Sequence, residues 1–295
     1  MDKEKIAIER LKAASEMSLA YYKQPLVVCL SGGKDSAVIQ ELALRADIPV
    51  EFLHSHTTAD APETVYFIRN EFKRLEEMGK TCTVQMPTYK GKPVTMWSLI
   101  PQKKMPPTRT VRYCCSVLKE TSAEGRFITT GVRWAESANR KKNRAIYERL
   151  HRNPEKKIML RNDNDDKRML FESCRLKGTR VVNPIVDWTN KDVWEFIHDA
   201  KVPMNPLYEE GKCRVGCIGC PLATRKSREA DFKRFPTYKQ AYIRAFDKML
   251  DVRRAEGKID VDWRMGNNGK DVFNWWMDYD VLPGQMEFTD EDLEV

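Results

Sequence analysis

The sequence of 295 residues contains no apolar run near the roughly 18 residues that a transmembrane helix needs. Its first residues, MDKEK, lack the apolar core of a secretory signal peptide. No segment repeats at a fixed period, so no repeat architecture is indicated. The composition, 41% hydrophobic and 32% charged, is typical of a soluble globular protein. We therefore expect a cytoplasmic protein that has no membrane partner.

Two widespread phosphate-binding motifs, GxxxxGK[ST] and GxGxxG, are also absent. In their place, an apolar run at residues 27–30 leads into SGGKDS at residues 31–36 and then into an apolar-periodic stretch. This order predicts a strand, a tight loop and a helix. Gly32 and Gly33 let the backbone approach a ligand closely and adopt positive φ, and the amides of a helix N-terminus favour an anion. Together with the Lys34 cation, the segment is predicted to bind phosphate.

Strand-like and helix-like segments alternate through the first two thirds of the chain. Further strands are predicted at residues 49–54, 81–86 and 126–130, with helical patterns between them. Strands that alternate with helices favour βαβ units and a parallel sheet that is covered on both faces. We therefore predict an α/β nucleotide-binding domain at residues 1–200.

Two later regions depart from this alternation. Residues 139–168 are polar and basic, which predicts a mobile excursion from the sheet. Beyond residue 200 the pattern predicts a cysteine-bearing loop, one helix over about residues 227–256 and little sheet. We therefore place a second, mainly helical region at residues 201–295.

Four segments resemble known enzyme motifs. SGGKDS at residues 31–36 resembles the PP-loop of ATP pyrophosphatases, which cleave ATP between its α and β phosphates. Residues 58–64 resemble DTG-x-x-x-PET with the leading Asp and Gly changed, and residues 112–119 resemble R-x-C-C-x-x-x-K. Residues 131–140 resemble G-x-R-x-x-x-S-x-x-R. All four motifs occur together in one superfamily.

Two later motifs complete this resemblance. With NPLY at residues 205–208 and CIGCP at residues 217–221, the chain resembles the phosphoadenosine phosphosulfate (PAPS) reductase superfamily over about residues 25–225. The resemblance implies the adenine-nucleotide α-hydrolase fold, a Rossmann-like α/β fold with a five-stranded parallel sheet. Within the superfamily, the loop resembles ATP-using members such as ATP sulfurylase small subunits and DndC-like proteins. Sulfonucleotide reductases usually lack the loop lysine and carry a C-terminal nucleophilic cysteine, whereas no cysteine follows Cys220 here.

The chemistry of ATP cleavage suggests a role for the polar side chains of these segments. Amides and hydroxyls of the loop hold the β and γ phosphates, and Lys34 neutralises charge on the leaving pyrophosphate. Asp35 or Asp60 is the candidate ligand for Mg²⁺, which prefers carboxylate, water and phosphate oxygens. The forked donors of Arg133 and Arg140 suit phosphate, although a solvated basic face explains Arg140 equally well. The predicted ATP-binding residues are Ser31, Gly32, Gly33, Lys34, Asp35, Ser36, Gly131, Arg133 and Arg140, and Lys34, Asp35 and Asp60 are the predicted catalytic residues.

Eight cysteines in a chain without an export signal indicate metal ligation rather than disulfides. The adjacent pair Cys114 and Cys115, with the C-x-x-C pair Cys217 and Cys220, supplies the four thiolates that a [4Fe–4S] cluster takes. Zn²⁺ and free thiols are the alternatives. Cys213 adds a pattern that resembles the radical-SAM triad, which we reject because no barrel-like βα repeat accompanies it. Cys213 is either a further ligand or a free thiol, and Cys29, Cys82 and Cys174 are predicted to be ordinary residues.

These observations predict an ATP pyrophosphatase that adenylates an acceptor, for sulfur transfer, and releases AMP and pyrophosphate. Its predicted cofactors are ATP, Mg²⁺ and a [4Fe–4S] cluster. Two alternatives stay open. One is a reductase of phosphoadenosine or adenosine phosphosulfate, and the other is a nucleotide-binding regulator or component of a defence system.

The sequence leaves the partners open. The net charge of +8 and the basic run at residues 139–161 fit either a nucleic-acid contact or a solvated face. The acceptor is therefore a nucleic acid or a protein. A cysteine desulfurase or another sulfur donor is expected if sulfur is transferred, and a homo-oligomer is compatible with the sequence.

Overall fold

The computed structural model describes residues 2–120, 123–150, 158–160, 179–258 and 267–278. The chain forms two compact units, each assembled from separate segments. The first comprises Met1–Ser55, Pro62–Gln85 and Ser122–Val215, and the second comprises His56–Ala61, Met86–Thr121 and Gly216–Val295. This division differs from the sequence-based boundary at residue 200, because two earlier segments belong to the same unit as the C-terminal helices.

A sheet of five parallel strands and two antiparallel strands forms the centre of the first unit. In chain order the strands of the protein are β1 (Leu26–Cys29), β2 (Val50–Ser55), β3 (Thr81–Gln85), β4 (Thr88–Tyr89), β5 (Lys92–Pro93), β6 (Phe127–Thr129), β7 (Tyr147–Arg149), β8 (Ile158–Leu160) and β9 (Arg180–Val182). The spatial order is β3-β2-β1-β6-β9-β7-β8, and the first five of these are parallel. The predicted five-stranded parallel sheet of Rossmann-like character is therefore confirmed.

Two antiparallel strands extend this sheet, against the prediction of a mobile excursion over residues 139–168. β7 pairs with both β9 and β8 in antiparallel register. The sequence pattern did not predict β7 because this strand carries a charged residue, Glu148. The structure shows that Glu148 is only 2% exposed. Its carboxylate accepts hydrogen bonds from Asn183 Nδ2 at 2.9 Å and from the Ala145 N–H at 3.2 Å. The rest of the segment, at residues 151–157 and 161–168, lies outside the described residues.

Helices cover the sheet of the first unit and make up most of the second. The helices are α1 (Lys3–Met17), α2 (Lys34–Arg45), α3 (Pro62–Glu77), α4 (Met96–Lys103), α5 (Tyr113–Leu118), α6 (Ala138–Asn143), α7 (Asn190–Ala200), α8 (Arg225–Arg234), α9 (Pro236–Ala255) and α10 (Gly269–Asp278). In the first unit the side chains of α1, α2, α3 and α7 share one apolar core with the central strands. None of the described helices is both long and apolar enough to cross a bilayer.

Two local sequence signals explain where helices begin and end. Thr189 caps α7 as predicted, because its side chain accepts a hydrogen bond from the Asp192 N–H. The single helix predicted over residues 227–256 is instead α8 followed by α9. Pro236 is the first residue of α9, where its missing N–H is tolerated, whereas it would interrupt a continuous helix.

The second unit packs its helices through aromatic side chains. The ring of Trp97 on α4 lies 4.8 Å, centroid to centroid, from that of Tyr242 on α9. Tyr242 also contacts Phe232 of α8 at 5.7 Å and Trp276 of α10 at 4.7 Å. This packing explains why residues 86–121 belong with the C-terminal helices.

Candidate functional site

The predicted strand, loop and helix around SGGKDS are present as β1, residues 30–33 and α2. Gly32 has φ +76°, and a Cβ atom there would lie 2.8 Å from Thr64 Cγ2. Gly33 has φ −93° and ψ 162°, an extended conformation that any residue adopts. The expectation of positive φ is therefore right for Gly32 and wrong for Gly33.

Hydroxyl groups inside the loop fix its curvature. The Ser36 hydroxyl donates to the Gly33 carbonyl at 2.8 Å, and the Ser31 N–H donates to Ser36 Oγ at 3.2 Å. Ser31 and Ser36 thus first serve to shape the loop. Their predicted contacts with phosphate stay a prediction.

The NPLY turn holds the loop from outside. Asn205 Nδ2 donates to the Gly32 carbonyl at 3.2 Å and to Thr64 Oγ1 at 3.0 Å. The backbone N–H of Lys34 donates to the Tyr208 hydroxyl at 2.9 Å. Sequence analysis recognised NPLY only as a motif, because its contacts with the loop join residues more than 170 positions apart.

Asp35 is held by Arg133 at the start of α2. Arg133 is 1% exposed, and its guanidinium donates to Asp35 Oδ1 at 2.7 Å, to Asn190 Oδ1 at 2.7 Å and to the Trp188 carbonyl at 3.2 Å. Gly131 lets the chain after β6 approach this turn, since a Cβ atom there would lie 2.8 Å from the Asp35 carbonyl carbon. Arg133 and Gly131 therefore position Asp35, and their predicted contact with the nucleotide stays a prediction.

Lys34 lies in a positive environment. Its Nζ atom is 3.6 Å from Asp35 Oδ2. Burial lowers the pKa of Lys34 from its usual value, Asp35 opposes this, and the charges of Arg133 and Arg214 lower it further. Neighbouring cations create a positive electrostatic potential that disfavours a further positive charge. The same potential favours the binding of an anion.

Arg140 contributes to the same charge cluster. It pairs with Glu136, whose Oε2 atom also accepts the Arg133 backbone N–H at 3.0 Å. Burial lowers the pKa of Arg140 to about 10, and Arg214 and Arg144 lower it as well. Arg214 was not identified from the sequence, where it is one basic residue among 51.

The four predicted cysteine ligands belong to the second unit. Cys114 and Cys115 lie in the first turn of α5, and Cys217 forms an isolated β-bridge with Asp60. The Ile218 N–H donates to the Ala59 carbonyl at 2.8 Å, which ties the C-x-x-C turn to the segment that carries Asp60. The structure therefore places Asp60 with the cysteines.

Polar groups surround the Cys217 sulfur. Cys217 Sγ lies 3.3 Å from Thr57 Oγ1 and 3.9 Å from Asp60 Oδ1. Asp60 also accepts a hydrogen bond from the Thr57 N–H at 2.8 Å. The pKa of Lys119 is raised, first by the charge of Cys217 and also by that of Asp60. A thiolate at Cys217 therefore has both a hydroxyl donor and a cation beside it.

The thiols influence each other electrostatically. The hydrogen bond between the adjacent pair raises the pKa of Cys114 and lowers that of Cys115 to about 6. The charges of Cys217 and Cys220 also raise the pKa of Cys114, so the other three thiols all act on this one. Burial raises the pKa of Cys217 to about 11. Binding of a metal centre would therefore release protons, as thiolate ligation requires.

The spacing of the cysteine sulfurs bears on whether a single zinc ion could bind there. A tetrahedral zinc site with Zn–S bonds of about 2.3 Å places its sulfurs roughly 3.8 Å apart. Among the described residues, no group of three or more metal-ligating side chains with ligand atoms within 4.8 Å of one another includes these cysteines. The sulfurs are therefore not as close together as a compact tetrahedral zinc site requires.

The C-terminal helices support the C-x-x-C turn. The Tyr242 hydroxyl donates to the Ile218 carbonyl at 3.0 Å. Gly219 has φ +68°, and a Cβ atom there would lie 2.3 Å from Phe232 Cζ. Neither aromatic residue belongs to a recognised motif, so sequence analysis missed both.

Three of the remaining cysteines, Cys29, Cys82 and Cys213, lie in the described part of the chain. Burial raises the pKa of Cys29 to about 12 and that of Cys82 to about 11, which suits inert thiols. Cys213 is exposed. Cys174 lies outside the described residues.

Comparison with known proteins identifies the family. Residues 25–223 match the phosphoadenosine phosphosulfate reductase domain. The chain is 27% identical to an uncharacterized protein of Methanocaldococcus jannaschii, over 97% of this chain and 62% of the relative's length. It is 24% identical to an adenosine 5'-phosphosulfate reductase of Bacillus cereus, over 71% of this chain and 80% of the relative. The crystal structure of a PAPS reductase from Candida auris shares 17% identity and a TM-score of 0.43, over 69% of this chain and 87% of that one. Because the matched segment is more than half of the sequence, the chain belongs to the phosphoadenosine phosphosulfate reductase domain family.

Proposed function

We propose that the chain is an ATP pyrophosphatase of the PP-loop type that adenylates an acceptor and carries a [4Fe–4S] cluster. The proposal rests on the loop between β1 and α2, which ends at Lys34. The charge of Arg214 acts on both Lys34 and Arg140, so the loop lies in a positive electrostatic environment. Amides at the start of a helix and a cluster of cations are suited to a polyanion such as a triphosphate.

The proposed reaction joins an oxygen or sulfur atom of the acceptor to the α phosphorus of ATP. The bond from that phosphorus to the oxygen bridging to the β phosphate breaks, and pyrophosphate leaves with the bonding electrons. The acceptor proton goes to solvent. When the adenylated atom is an oxygen, a second nucleophile then attacks the acceptor carbon, the bond from that carbon to the oxygen breaks, and AMP leaves with this oxygen. Lys34 stabilises the charge that develops on the leaving pyrophosphate, which is the main contribution a protein makes to such a transfer.

Mg²⁺ is proposed to accompany the triphosphate. Asp35 lies in the same unit as the loop, and its Oδ1 atom is engaged by Arg133. Its Oδ2 atom lies 3.6 Å from Lys34 Nζ and is the oxygen that fits a magnesium ion. One carboxylate is enough, because Mg²⁺ usually keeps several waters and binds substrate phosphates. Asp60, the other candidate, lies beside Cys217 and fits that ion less well.

Cys114, Cys115, Cys217 and Cys220 are the proposed cluster ligands. A bound cluster supplies iron that acts in redox or Lewis-acid chemistry. The chain's own part is to stabilise the thiolates, with Lys119 as the nearby cation and the Thr57 hydroxyl 3.3 Å from Cys217 Sγ.

A nucleic acid is the acceptor that the surface charge favours. Lys141 and Lys142 on α6 are exposed, and Arg144 follows them. Exposed cations bind phosphate backbones without regard to sequence. We propose an RNA or DNA acceptor, with a protein acceptor as the alternative. A cysteine desulfurase or another sulfur donor and self-association are proposed as further partners.

A phosphosulfate reductase is the second candidate function. The family name and the resemblance to the Bacillus cereus enzyme favour it. The exposed Cys213 thiol offers a nucleophile for the sulfur of such a substrate.

Lys34→Ala tests the phosphate assignment. We expect the dissociation constant for ATP, measured by isothermal titration calorimetry, to rise about 10-fold or more, because a charge-assisted contact is lost. Lys12→Ala removes an equal charge from an exposed position of α1 and should leave the constant unchanged. Equal affinity in both variants and the wild type would contradict the assignment.

A further inference from the structure

The β4–β5 hairpin belongs to a stretch of the second unit in which every charged residue is a cation. Residues 86–119 contain seven lysines and arginines and no aspartate or glutamate. At the frequency of the whole chain, 43 acidic residues in 295, about five would be expected in this stretch. The motif at residues 112–119 accounts for only two of the seven cations. The other five need a separate explanation.

A tight turn presents two of these lysines at the tip of the hairpin. Tyr89 on β4 pairs with Lys92 on β5, so the turn between them consists of Lys90 and Gly91. Both turn residues have positive φ, +52° and +75°, as in a type I′ turn. Such a turn prefers asparagine or glycine at its first position, so the backbone conformation does not explain a lysine there. Both Lys90 and Lys92 are exposed.

A third lysine is held beside the hairpin by Tyr89. Lys103, at the end of α4, donates a hydrogen bond from Nζ to the Tyr89 hydroxyl at 3.0 Å, and this Nζ lies 4.2 Å from the centre of the Tyr89 ring. The same Nζ lies 5.9 Å from the ring centre of Tyr113, the residue before Cys114. We call Lys90, Lys92 and Lys103 together the hairpin surface. It extends to the start of α5, where two of the candidate cysteine ligands lie.

The charge of the hairpin surface is not neutralised by carboxylates. Within the described part of the chain, none of its three lysines forms an ion pair, whereas the neighbouring Lys104 pairs with Glu256. The exposed large apolar side chains of the described residues all lie outside the hairpin and α4. A membrane-binding surface needs such side chains to enter the lipid. The hairpin surface therefore fits a polyanion in solution better than a membrane.

We propose that the hairpin surface binds the phosphodiester backbone of a nucleic-acid acceptor, with Tyr89 as the residue that positions Lys103. This inference rests on the proposed function for the nature of the acceptor, and it assigns the acceptor a second contact surface besides the cations of α6. A nucleic acid carries one charge on every nucleotide, so several lysines spread over a hairpin can each contact a phosphate and release a counterion. Such contacts position the strand without reading its sequence.

The first test measures binding of fluorescein-labelled oligouridine, and of oligothymidine of equal length, by fluorescence anisotropy. Lys90→Asn combined with Lys92→Gln removes two charges and places a residue that the turn favours at position 90. The dissociation constants for both strands should rise about 10-fold near 0.1 M salt. The slope of log K against log salt should become shallower by about 1.4, because each contact with a single strand contributes about 0.7. Lys90→Arg combined with Lys92→Arg should bind as the wild type does. Equal loss for both strands indicates backbone contacts, and loss for the RNA alone would contradict them.

Lys226→Gln combined with Lys233→Gln is the matched control. Both lysines are exposed on α8 of the same unit, so this variant has the same net charge as the hairpin variant. It should keep the wild-type affinity and salt slope. An equal loss in both double variants would show that only net charge matters and would overturn the proposal. Competition by poly-L-glutamate as effective as that by unlabelled oligouridine would favour an acidic protein partner instead.

The second test uses a double-mutant cycle for positioning. Tyr89→Phe keeps the ring beneath Lys103 and removes only the hydroxyl that accepts its hydrogen bond. Lys103→Gln should weaken oligouridine binding about 3-fold and reduce the salt slope by about 0.7. Adding Tyr89→Phe to Lys103→Gln should cause no further loss, because residues that act through one contact give non-additive effects. An additive loss would show that Tyr89 does not act through Lys103.

The outcomes separate this inference from the function on which it rests. Binding of oligonucleotides is measured without ATP, whereas the proposed function is measured by pyrophosphate release. If the hairpin variant loses oligonucleotide binding and the wild type releases no pyrophosphate from ATP, the surface assignment holds and the proposed function fails. If the wild type releases pyrophosphate and the hairpin variant binds both strands as tightly as the wild type, the assignment of the hairpin surface is wrong.

Discussion

Cys220→Ala should remove most of the iron from anaerobically purified protein. The wild type should be brown, absorb broadly near about 400 nm and contain close to four irons per chain, because four cysteines are the usual ligands of a [4Fe–4S] cluster. Cys220 and Cys217 both act on Cys114, so loss of one thiol leaves an incomplete set. Iron content and the absorption spectrum measure the effect.

Cys213→Ala is the matched control for this prediction. Cys213 lies on the same connection but is exposed, unlike the buried or half-buried candidate ligands. Iron should therefore be retained in this variant. Stoichiometric zinc without iron in the wild type would reject the cluster, and loss of iron in Cys213→Ala would change its ligand set.

Gly32→Ala should abolish most ATP binding, whereas Gly33→Ala should not. Gly32 has φ +76°, which costs about 1–2 kcal/mol for an L residue, and its added Cβ atom would lie 2.8 Å from Thr64 Cγ2. At Gly33 the backbone is extended and the nearest atoms, Ser31 Oγ and Tyr208 Oη, lie at 3.5 Å. We expect ATP affinity to fall roughly 10- to 100-fold in the first variant and less than about 3-fold in the second.

Circular dichroism melts provide the control for the glycine pair. Both variants should remain folded at the temperature of the binding assay, since the strain is confined to one loop. A Gly33→Ala variant that loses ATP affinity as strongly as Gly32→Ala would contradict the conformational account. The backbone of residue 33 would then have to change when nucleotide binds.

The sequence predicted the parts of the fold that local patterns specify. An apolar run followed by SGGKDS and a helical period predicts β1, the loop and α2, because these signals lie within about twenty neighbouring residues. The strand β7 was missed for the opposite reason. In the sequence, Glu148 has the character of a solvent-exposed residue. Its burial is favourable because it accepts a hydrogen bond from Asn183, which is distant in the sequence.

The candidate site was predictable where chemistry demands rare residues. Cysteine pairs at short spacing single out Cys114, Cys115, Cys217 and Cys220 as candidate ligands, and that assignment stays a prediction. Their supporting groups were not predictable, because Tyr242 acts through a contact between distant segments. The contact of Arg133 with Asp35 was likewise not predictable, because the two residues are 98 positions apart in the sequence.

Product analysis tests the central claim of ATP cleavage between the α and β phosphates most directly. The purified wild-type protein is incubated with ATP and Mg²⁺, with and without total RNA as the acceptor probe, and in parallel with adenosine phosphosulfate and reduced thioredoxin. We predict slow formation of AMP and pyrophosphate in equal amounts, with water as the default acceptor, no ADP, and loss of activity in Lys34→Ala. We predict no sulfite. Robust sulfite release that Cys213→Ser abolishes, without pyrophosphate from ATP, would contradict the account and favour the reductase.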